Sequence, residues 1–65
     1  MKLRNFLKMI KEQEKIILYI RDSISNGYLC KGSMYKREVP NEYEAKDVIK
    51  YLVTGNHIKI FIGGE

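Results

Sequence analysis

The chain has 65 residues, of which 45% are hydrophobic and 31% charged, and its formal net charge is +4. This length provides for one hydrophobic core, and the composition is that of a folded chain, which argues against intrinsic disorder. The longest apolar run is the five residues from Ile16 to Ile20, far short of the roughly 20 residues that a membrane span needs. A membrane partner is therefore not expected.

The single cysteine, Cys30, can form neither an internal disulfide nor a multi-thiolate metal site. The first 15 residues are amphipathic and charged, which is not the pattern of a secretory signal. We therefore expect one cytoplasmic domain over residues 1–65. A domain of this size gains only a few kcal/mol from its core, and self-association is a common further source of stability. A homo-oligomer, most simply a two-fold dimer, is predicted.

Charge is unevenly distributed along the sequence. Residues 1–37 carry nine Lys and Arg against three acids, a net of +6, whereas residues 38–65 carry three Lys against five acids, a net of −2. The basic residues are dispersed and form no single run. A dispersed excess of this size is typical of a solvated surface.

The first predicted element is a helix over about residues 3–12. Leu3, Phe6, Leu7 and Ile10 follow the spacing i, i+3, i+4 and i+7, which places them in one stripe of a helix. A helix of about ten residues is not stable alone in water. The stripe is therefore expected to pack on the strands that follow.

Two antiparallel strands are predicted next, over residues 16–24 and 28–38. They are joined at Asn26-Gly27, the sequence that best suits a two-residue type I′ turn. Counting outward from this turn gives three cross-strand pairs: Ile24 with Leu29, Ile20 with Ser33, and Leu18 with Tyr35. Gly32 lies inside the second strand and predicts a β-bulge or a sharp bend there.

The segment 41–54 admits two interpretations. As a helix, it begins with a capping box at Asn41 and Glu44. As a strand, its second half is dense in residues with high β-propensity. A helical turn over 41–45 followed by a strand over 47–53 is favoured, and a continuous helix is the alternative.

The last strand is predicted over residues 57–62, where Ile58, Ile60 and Ile62 alternate with other residues. Residues 63–65 are expected to fray. Together these elements predict an α+β fold in which a short N-terminal helix packs on a bent antiparallel sheet of four to five strands. A small barrel of the SH3 or Sm type is the alternative form of such a sheet.

The order of these segments resembles a known group of proteins. The resemblance rests on the opening MKLRNFLKMI, the KIILYI run, the step from Gly32 to Pro40 and the I-x-I-x-I ending from Ile58 to Ile62. The group consists of short uncharacterised proteins from phages and mobile elements of low-GC Gram-positive bacteria. The resemblance implies a helix before a bent antiparallel sheet, with the proline opening a helical turn before the third strand. It implies no catalytic residues, and it suggests a protein that binds and blocks or adjusts a host component.

The residue types that usually carry catalysis are isolated along the chain. Cys30 and His57 are the one thiol and the one imidazole. Cys30 lies in a predicted strand next to Leu29, where a free cysteine is usually buried as a small apolar side chain. His57 lies in a predicted turn. A catalytic pair is therefore not expected, and the protein is predicted not to be an enzyme.

Neither a metal nor an organic cofactor is predicted. Glu38, Glu42, Glu44 and Asp47 are expected to be caps and surface charges, because they lack the alternating oxygen ligands and the glycine of a calcium loop. The glycines match no spacing that is typical of phosphate-binding loops.

The candidate binding residues lie in one stretch of the second strand and its end: Tyr28, Lys31, Tyr35, Lys36 and Arg37. Aromatic side chains interleaved with basic ones can stack bases and neutralise phosphates. The same composition suits the centre of a protein–protein interface. A solvent-facing strand edge, whose tyrosines cover the core, is the simplest interpretation.

These observations predict a small binding protein that acts on a host protein as an inhibitor or adaptor, encoded by a phage or mobile element. The alternative is a nucleic-acid-binding accessory protein, which the net charge of +6 in residues 1–37 supports. Against the alternative are the overall charge of only +4 and the lack of a tight basic cluster.

Overall fold

The structure is a computed structural model that describes residues 1–63 of the chain. Its elements in chain order are α1 (Leu3–Leu7), β1 (Lys15–Asp22), β2 (Gly27–Tyr35), a 3₁₀ helix (Lys36–Glu38), α2 (Asn41–Glu44), β3 (Val48–Val53) and β4 (His57–Ile62). Of the tail predicted to fray, residues 64 and 65 lie outside the described residues. The N–H of Gly63 donates to the carbonyl oxygen of Asp47 at 2.9 Å.

The four strands form one mixed sheet in the order β2-β1-β4-β3. The pairs β1–β2 and β3–β4 are antiparallel, but the central pair β1–β4 is parallel. The predicted α+β class is confirmed, whereas a wholly antiparallel sheet is wrong. Within residues 1–63 the sheet is open, with β2 and β3 as its two edges, so it does not form an SH3-like or Sm-like barrel.

The two central strands carry all the fully or largely buried apolar side chains that the described strands contribute to the core. Their parallel register aligns three apolar pairs on one face: Ile16 with Ile58, Leu18 with Ile60, and Ile20 with Ile62. Placing these strands side by side concentrates apolar burial in the middle of the sheet. Leu18 and Ile60 are both 0% exposed.

The helical layer covers this face of the sheet. The predicted stripe is buried, because Leu3, Phe6, Leu7 and Ile10 all belong to the hydrophobic core. The helix α1, however, ends at Leu7, and the predicted extension to residue 12 is wrong. The chain continues through i→i+3 turns, in which the N–H of Ile10 donates to the carbonyl oxygen of Leu7 at 3.1 Å.

The β1–β2 connection differs from the predicted two-residue turn. Asp22 pairs with Gly27, so residues 23–26 form the loop. Asn26 has the predicted positive φ of 63°, but Gly27 does not. The Asp22 carboxylate accepts hydrogen bonds from the N–H of Ile24 at 3.1 Å and the hydroxyl of Ser25 at 2.7 Å. This local Asx-type turn outcompetes the tighter turn.

The longer loop changes the cross-strand register. The predicted pairs are wrong: Ile20 pairs with Leu29 and Leu18 pairs with Gly32. Ile24, which was expected to pair with Leu29, lies in the loop and is 94% exposed. The register shifts between Leu18 and Tyr19, and Gly32 has a φ of 99°. The predicted β-bulge at Gly32 is therefore confirmed.

The second half of the chain follows the favoured interpretation. The strand β2 ends at Tyr35, earlier than predicted, because residues 36–38 turn into the 3₁₀ helix. The Glu38 carboxylate accepts the N–H of Tyr35 at 2.8 Å, which stabilises this change of direction. After Pro40 come the short helix α2 and the strand β3. A continuous helix over 41–54 is wrong.

The hydrogen bonds of the β1–β2 loop lower the pKa of Asp22. Mainly the Ser25 hydroxyl, and then the Ile24 N–H, hold the pKa of Asp22 below its ordinary value of 3.8. Because a lowered pKa favours folding, this contribution is complete above the ordinary value and is lost as the pH falls through the pKa of the folded state. Replacing Ser25 by alanine should raise the pKa of Asp22, as measured by NMR titration of its carboxyl carbon. Ser23→Ala is the control, and an unchanged pKa in Ser25→Ala would contradict the assignment.

Candidate binding face of the sheet

One face of the sheet is left without a helical layer in the described part of the chain. Side chains of a strand alternate between the two faces, and the helices and Val39 pack on the face that carries Leu18 and Ile60. The other face is here called the open face. By the alternation and the observed register it carries Lys15, Ile17, Tyr19 and Arg21 of β1, Tyr28, Cys30, Ser33 and Tyr35 of β2, Lys50 and Leu52 of β3, and His57, Lys59 and Phe61 of β4.

Three aromatic rings from three strands meet on the open face. Tyr19 and Phe61 are neighbours in the parallel register, and their rings stack at a centroid distance of 4.6 Å and an angle of 12°. Tyr28 approaches Phe61 edge-on at 4.9 Å. Tyr28 is 37% exposed, and the other two rings are half-buried. We call these three residues the aromatic cluster.

A lysine from the neighbouring strand lies over the aromatic cluster. The ammonium nitrogen of Lys50 is 4.9 Å from the ring centroid of Phe61 and 5.6 Å from that of Tyr28. Such cation–π contacts hold a charge close to an aromatic surface. Lys50 is exposed, so its ammonium group remains accessible to an anionic partner.

A second group of this kind lies toward the other end of the open face. The guanidinium carbon of Arg37 is 4.9 Å from the ring centroid of Tyr35, and the ammonium nitrogen of Lys15 is 5.6 Å from it. Lys15 and Tyr35 are cross-strand partners. The open face therefore presents cations next to aromatic rings in two places.

The charges of the open face have one sign. Its strand residues include Lys15, Arg21, Lys50 and Lys59 and, within residues 1–63, no Asp or Glu. Two of these lysines come from the half of the chain that is acidic overall. The fold thus assembles a basic surface that the charge distribution along the sequence does not reveal.

The structure brings most of the predicted binding residues to this face. Tyr28 and Tyr35 lie on it, and Arg37 lies over the ring of Tyr35. Lys31 is exposed and is the extra residue of the bulge in β2. Lys36 is not brought there, because its ammonium group is held on the helical side of the sheet.

The contacts of Lys36 are those of a structural residue. Its ammonium nitrogen donates to the carbonyl oxygens of Ile10 at 2.6 Å and Leu7 at 3.4 Å. A carboxylate oxygen of Glu12 lies 3.9 Å away. Lys36 thereby gives a charged donor to the carbonyl of Ile10 beyond the end of α1, and a second donor to the carbonyl of Leu7, which also accepts the N–H of Ile10.

Sequence reasoning missed six aromatic and basic residues of the open face: Lys15, Tyr19, Arg21, Lys50, Lys59 and Phe61. The available signal was the two-residue alternation along β1 and β4, which places aromatic and basic residues opposite the isoleucines. That signal assigns faces only within each strand. Bringing the residues together also requires the parallel pairing of the two strands.

Cys30 and His57 are apart in the sheet. Cys30 pairs with Tyr19, and His57 pairs with Lys15 on the other side of the same strand. Their partners Lys15 and Tyr19 are offset by four positions on β1, which corresponds to about 13 Å along the strand. Cys30 is exposed, so its predicted burial is wrong; the bulge and the alternation place it on the open face.

No protein-family model, curated protein or solved structure matches this chain. In residues 1–63 the helices are too short and too polar to cross a membrane. The geometry defines the protein as a small α+β domain with an open sheet face that is both aromatic and basic.

Proposed function

We propose that this protein is a non-enzymatic, cytoplasmic binding protein whose open face binds single-stranded nucleic acid. The observation that carries the proposal is the composition of the face, on which the strands described within residues 1–63 place four cations, a cluster of three aromatic rings and no carboxylate. The sequence favoured a protein target; we place nucleic acid first because of the charge and the aromatic content of the open face.

The cations of the face suit a phosphate backbone. Arg21, Lys50 and Lys59 lie on three adjacent strands, and neighbouring strands are about 4.8 Å apart. In the observed register Lys59 lies beside Ile17, four positions along β1 from Arg21, so the cations are spread over the face and can contact separate phosphates of an extended strand. Contacts of this kind neutralise phosphates and release counterions, which makes the affinity depend on salt.

The aromatic cluster suits unpaired bases. Stacking of a base on an aromatic side chain contributes about 1–3 kcal/mol and tolerates any base sequence. Tyr28 is the most accessible ring that the cluster offers, and it lies next to Lys50. A flat sheet can present such rings only to bases that are not enclosed in a duplex, which favours a single strand over double-stranded DNA.

The test is fluorescence anisotropy with labelled single-stranded DNA and RNA of roughly 12 nucleotides. The expected result is binding at about 50 mM salt that weakens steeply toward about 200 mM. The double variant Lys50→Gln/Lys59→Gln should bind roughly tenfold more weakly, and its salt slope should be lower by about 1.4. Tyr28→Leu should weaken binding at least fivefold with an unchanged slope.

The matched control is Lys8→Gln/Lys11→Gln, which removes the same charge from exposed residues of the helical layer. This variant should change the affinity less than twofold. Equal losses in both double variants would show only a general attraction to the net charge. Absence of binding at low salt, at protein concentrations up to about 100 µM, would refute the proposal.

A host protein is the second candidate target, with the chain acting as an inhibitor or adaptor of phage or mobile-element origin. The specific observation in its favour is Leu52, a 54% exposed apolar side chain on the open face. Exposed apolar groups beside aromatic ones are typical of protein interfaces. Affinity capture from nuclease-treated lysate tests it: a specific protein retained by the wild type and lost with Leu52→Ser would support this candidate.

A further inference from the structure

We propose that the outer edge of β3 pairs with the same edge of a second copy of this chain. The resulting two-fold dimer would have a continuous sheet of eight strands. The pairing uses the backbone edge of β3 and the apolar groove on its helical side, so the pairing itself does not depend on the proposed function.

The strand β3 has the character of an unprotected edge. Four of its apolar side chains are exposed: Ile49 (43%), Tyr51 (54%), Leu52 (54%) and Val53 (71%). An edge strand that is exposed and apolar is a template for pairing with another strand. Lys50 is the charged residue of this strand, and its ammonium group lies over Phe61 on the open face, so it does not block the edge.

The two edges of the sheet differ in protection. β2 carries the bulge at Lys31 and the positive φ of Gly32, and bulges of this kind hinder edge pairing. In β3, the first residue is covered from outside, because the N–H of Val48 donates to the carbonyl oxygen of Met1 at 2.8 Å. The register of β3 is irregular at Ile49 and regular afterwards. The accessible edge is therefore the regular stretch from Lys50 to Val53.

An apolar groove adjoins this edge on the helical side. It has a volume of about 270 Å³ and is lined by Met1, Phe6, Met9, Val48, Ile49 and Tyr51. Tyr51 packs on Phe6 with a ring distance of 5.0 Å, while Met1 and Met9 are 65% and 63% exposed. The groove thus extends the apolar surface of the edge strand.

A second copy fits this surface because the edge is self-complementary. Antiparallel pairing of identical strands generates a two-fold axis, so each copy offers and receives the same apolar side chains. Each copy would bring five exposed apolar side chains to the contact, those of Met1, Met9, Ile49, Tyr51 and Val53, together with the paired backbone, and a stable interface needs about 800 Å² per partner. A domain this small gains stability from such burial.

The geometry of pairing has a consequence for the open face. In an antiparallel pair of identical strands the two-fold axis is perpendicular to the sheet, so both open faces lie on the same side. The dimer would then present one basic and aromatic surface across eight strands. This consequence rests on the proposed function; the dimer does not.

The experiment is sedimentation velocity of the full chain over a range of concentrations. The wild type should be a dimer, and Ile49→Lys/Val53→Lys should be a monomer with an unchanged circular dichroism spectrum. The matched control, Ile24→Lys/Leu29→Lys, adds the same charge at exposed apolar positions of the β1–β2 loop and β2 (94% and 51% exposed), and it should remain a dimer. If the double variant does not fold, the single variant Val53→Lys provides the test. It changes the most exposed of these β3 positions and should weaken the dimer.

A monomeric wild type at about 100 µM, or a dimer that persists in both β3 variants, would overturn the proposal. Oligonucleotide binding separates the two proposals. If both hold, an oligonucleotide of roughly 24 nucleotides should bind the dimeric control Ile24→Lys/Leu29→Lys at least fivefold more tightly than the monomeric variant, which carries the same added charge, whereas one of roughly eight should bind both equally. Dimers that bind no oligonucleotide would refute the proposed function alone.

Discussion

Replacing Leu18 or Ile60 by alanine should lower the free energy of unfolding by about 2–5 kcal/mol. Both side chains are 0% exposed, and they are partners in the parallel pair at the centre of the sheet. Each substitution removes apolar contacts and leaves a cavity that surrounding strands cannot fill. Because a small domain has only a few kcal/mol of stability, this loss should leave a large unfolded fraction at room temperature.

Urea denaturation followed by circular dichroism measures this effect. Ile60→Val is the milder variant, with an expected cost of about 0.5–1.5 kcal/mol, and it keeps the measurement within the folded range. Ile24→Ala is the control, since that side chain is 94% exposed and its loss should change stability by less than about 0.5 kcal/mol. Equal unfolding midpoints for Leu18→Ala and Ile24→Ala would show that the central strands are not the core.

The core could be predicted from the sequence because it depends on local periodicity. The stripe from Leu3 to Ile10 and the alternation from Ile58 to Ile62 each identify a buried face within one element. The density of residues with high β-propensity after position 47 likewise separated α2 from β3 correctly. These patterns need no knowledge of which elements are neighbours.

The order of the strands could not be obtained in this way. The β1–β4 pair joins residues that are about forty positions apart, and nothing in either strand specifies a parallel partner. The parallel pairing brings Tyr19 next to Phe61 and lets Lys59 and Arg21 share a face. Because the sequence does not give strand neighbours, its candidate site remained within a single stretch from Tyr28 to Arg37.

The hairpin shows how a strong local signal can be overridden. Asn26-Gly27 is well suited to a tight turn, but Asp22 and Ser25 supply hydrogen bonds that stabilise a longer loop. The whole register of β2 moves accordingly, and the bulge next to Gly32 offsets the two parts of β2 from each other by one residue. Side-chain hydrogen bonds of this kind depend on geometry that residue propensities do not encode.

Lys36 gives the sharpest distinction between a binding role and a structural one. Replacing it by methionine should lower the free energy of unfolding by about 1–2 kcal/mol, because the carbonyl oxygens of Leu7 and Ile10 lose a charged donor. The Lys36 side chain is only 22% exposed, and methionine keeps its apolar stem. Affinity for a single-stranded oligonucleotide should stay within twofold of the wild type.

The same two measurements on Lys31→Met provide the comparison. Lys31 is exposed on β2, so its replacement should alter stability by less than about 0.5 kcal/mol. A Lys36→Met variant with unchanged stability and clearly weakened oligonucleotide binding would return Lys36 to the binding residues. Reduced stability with retained affinity would instead establish that the lysine fixes the end of α1 over the core, and that the working surface of this protein is the opposite face of the sheet.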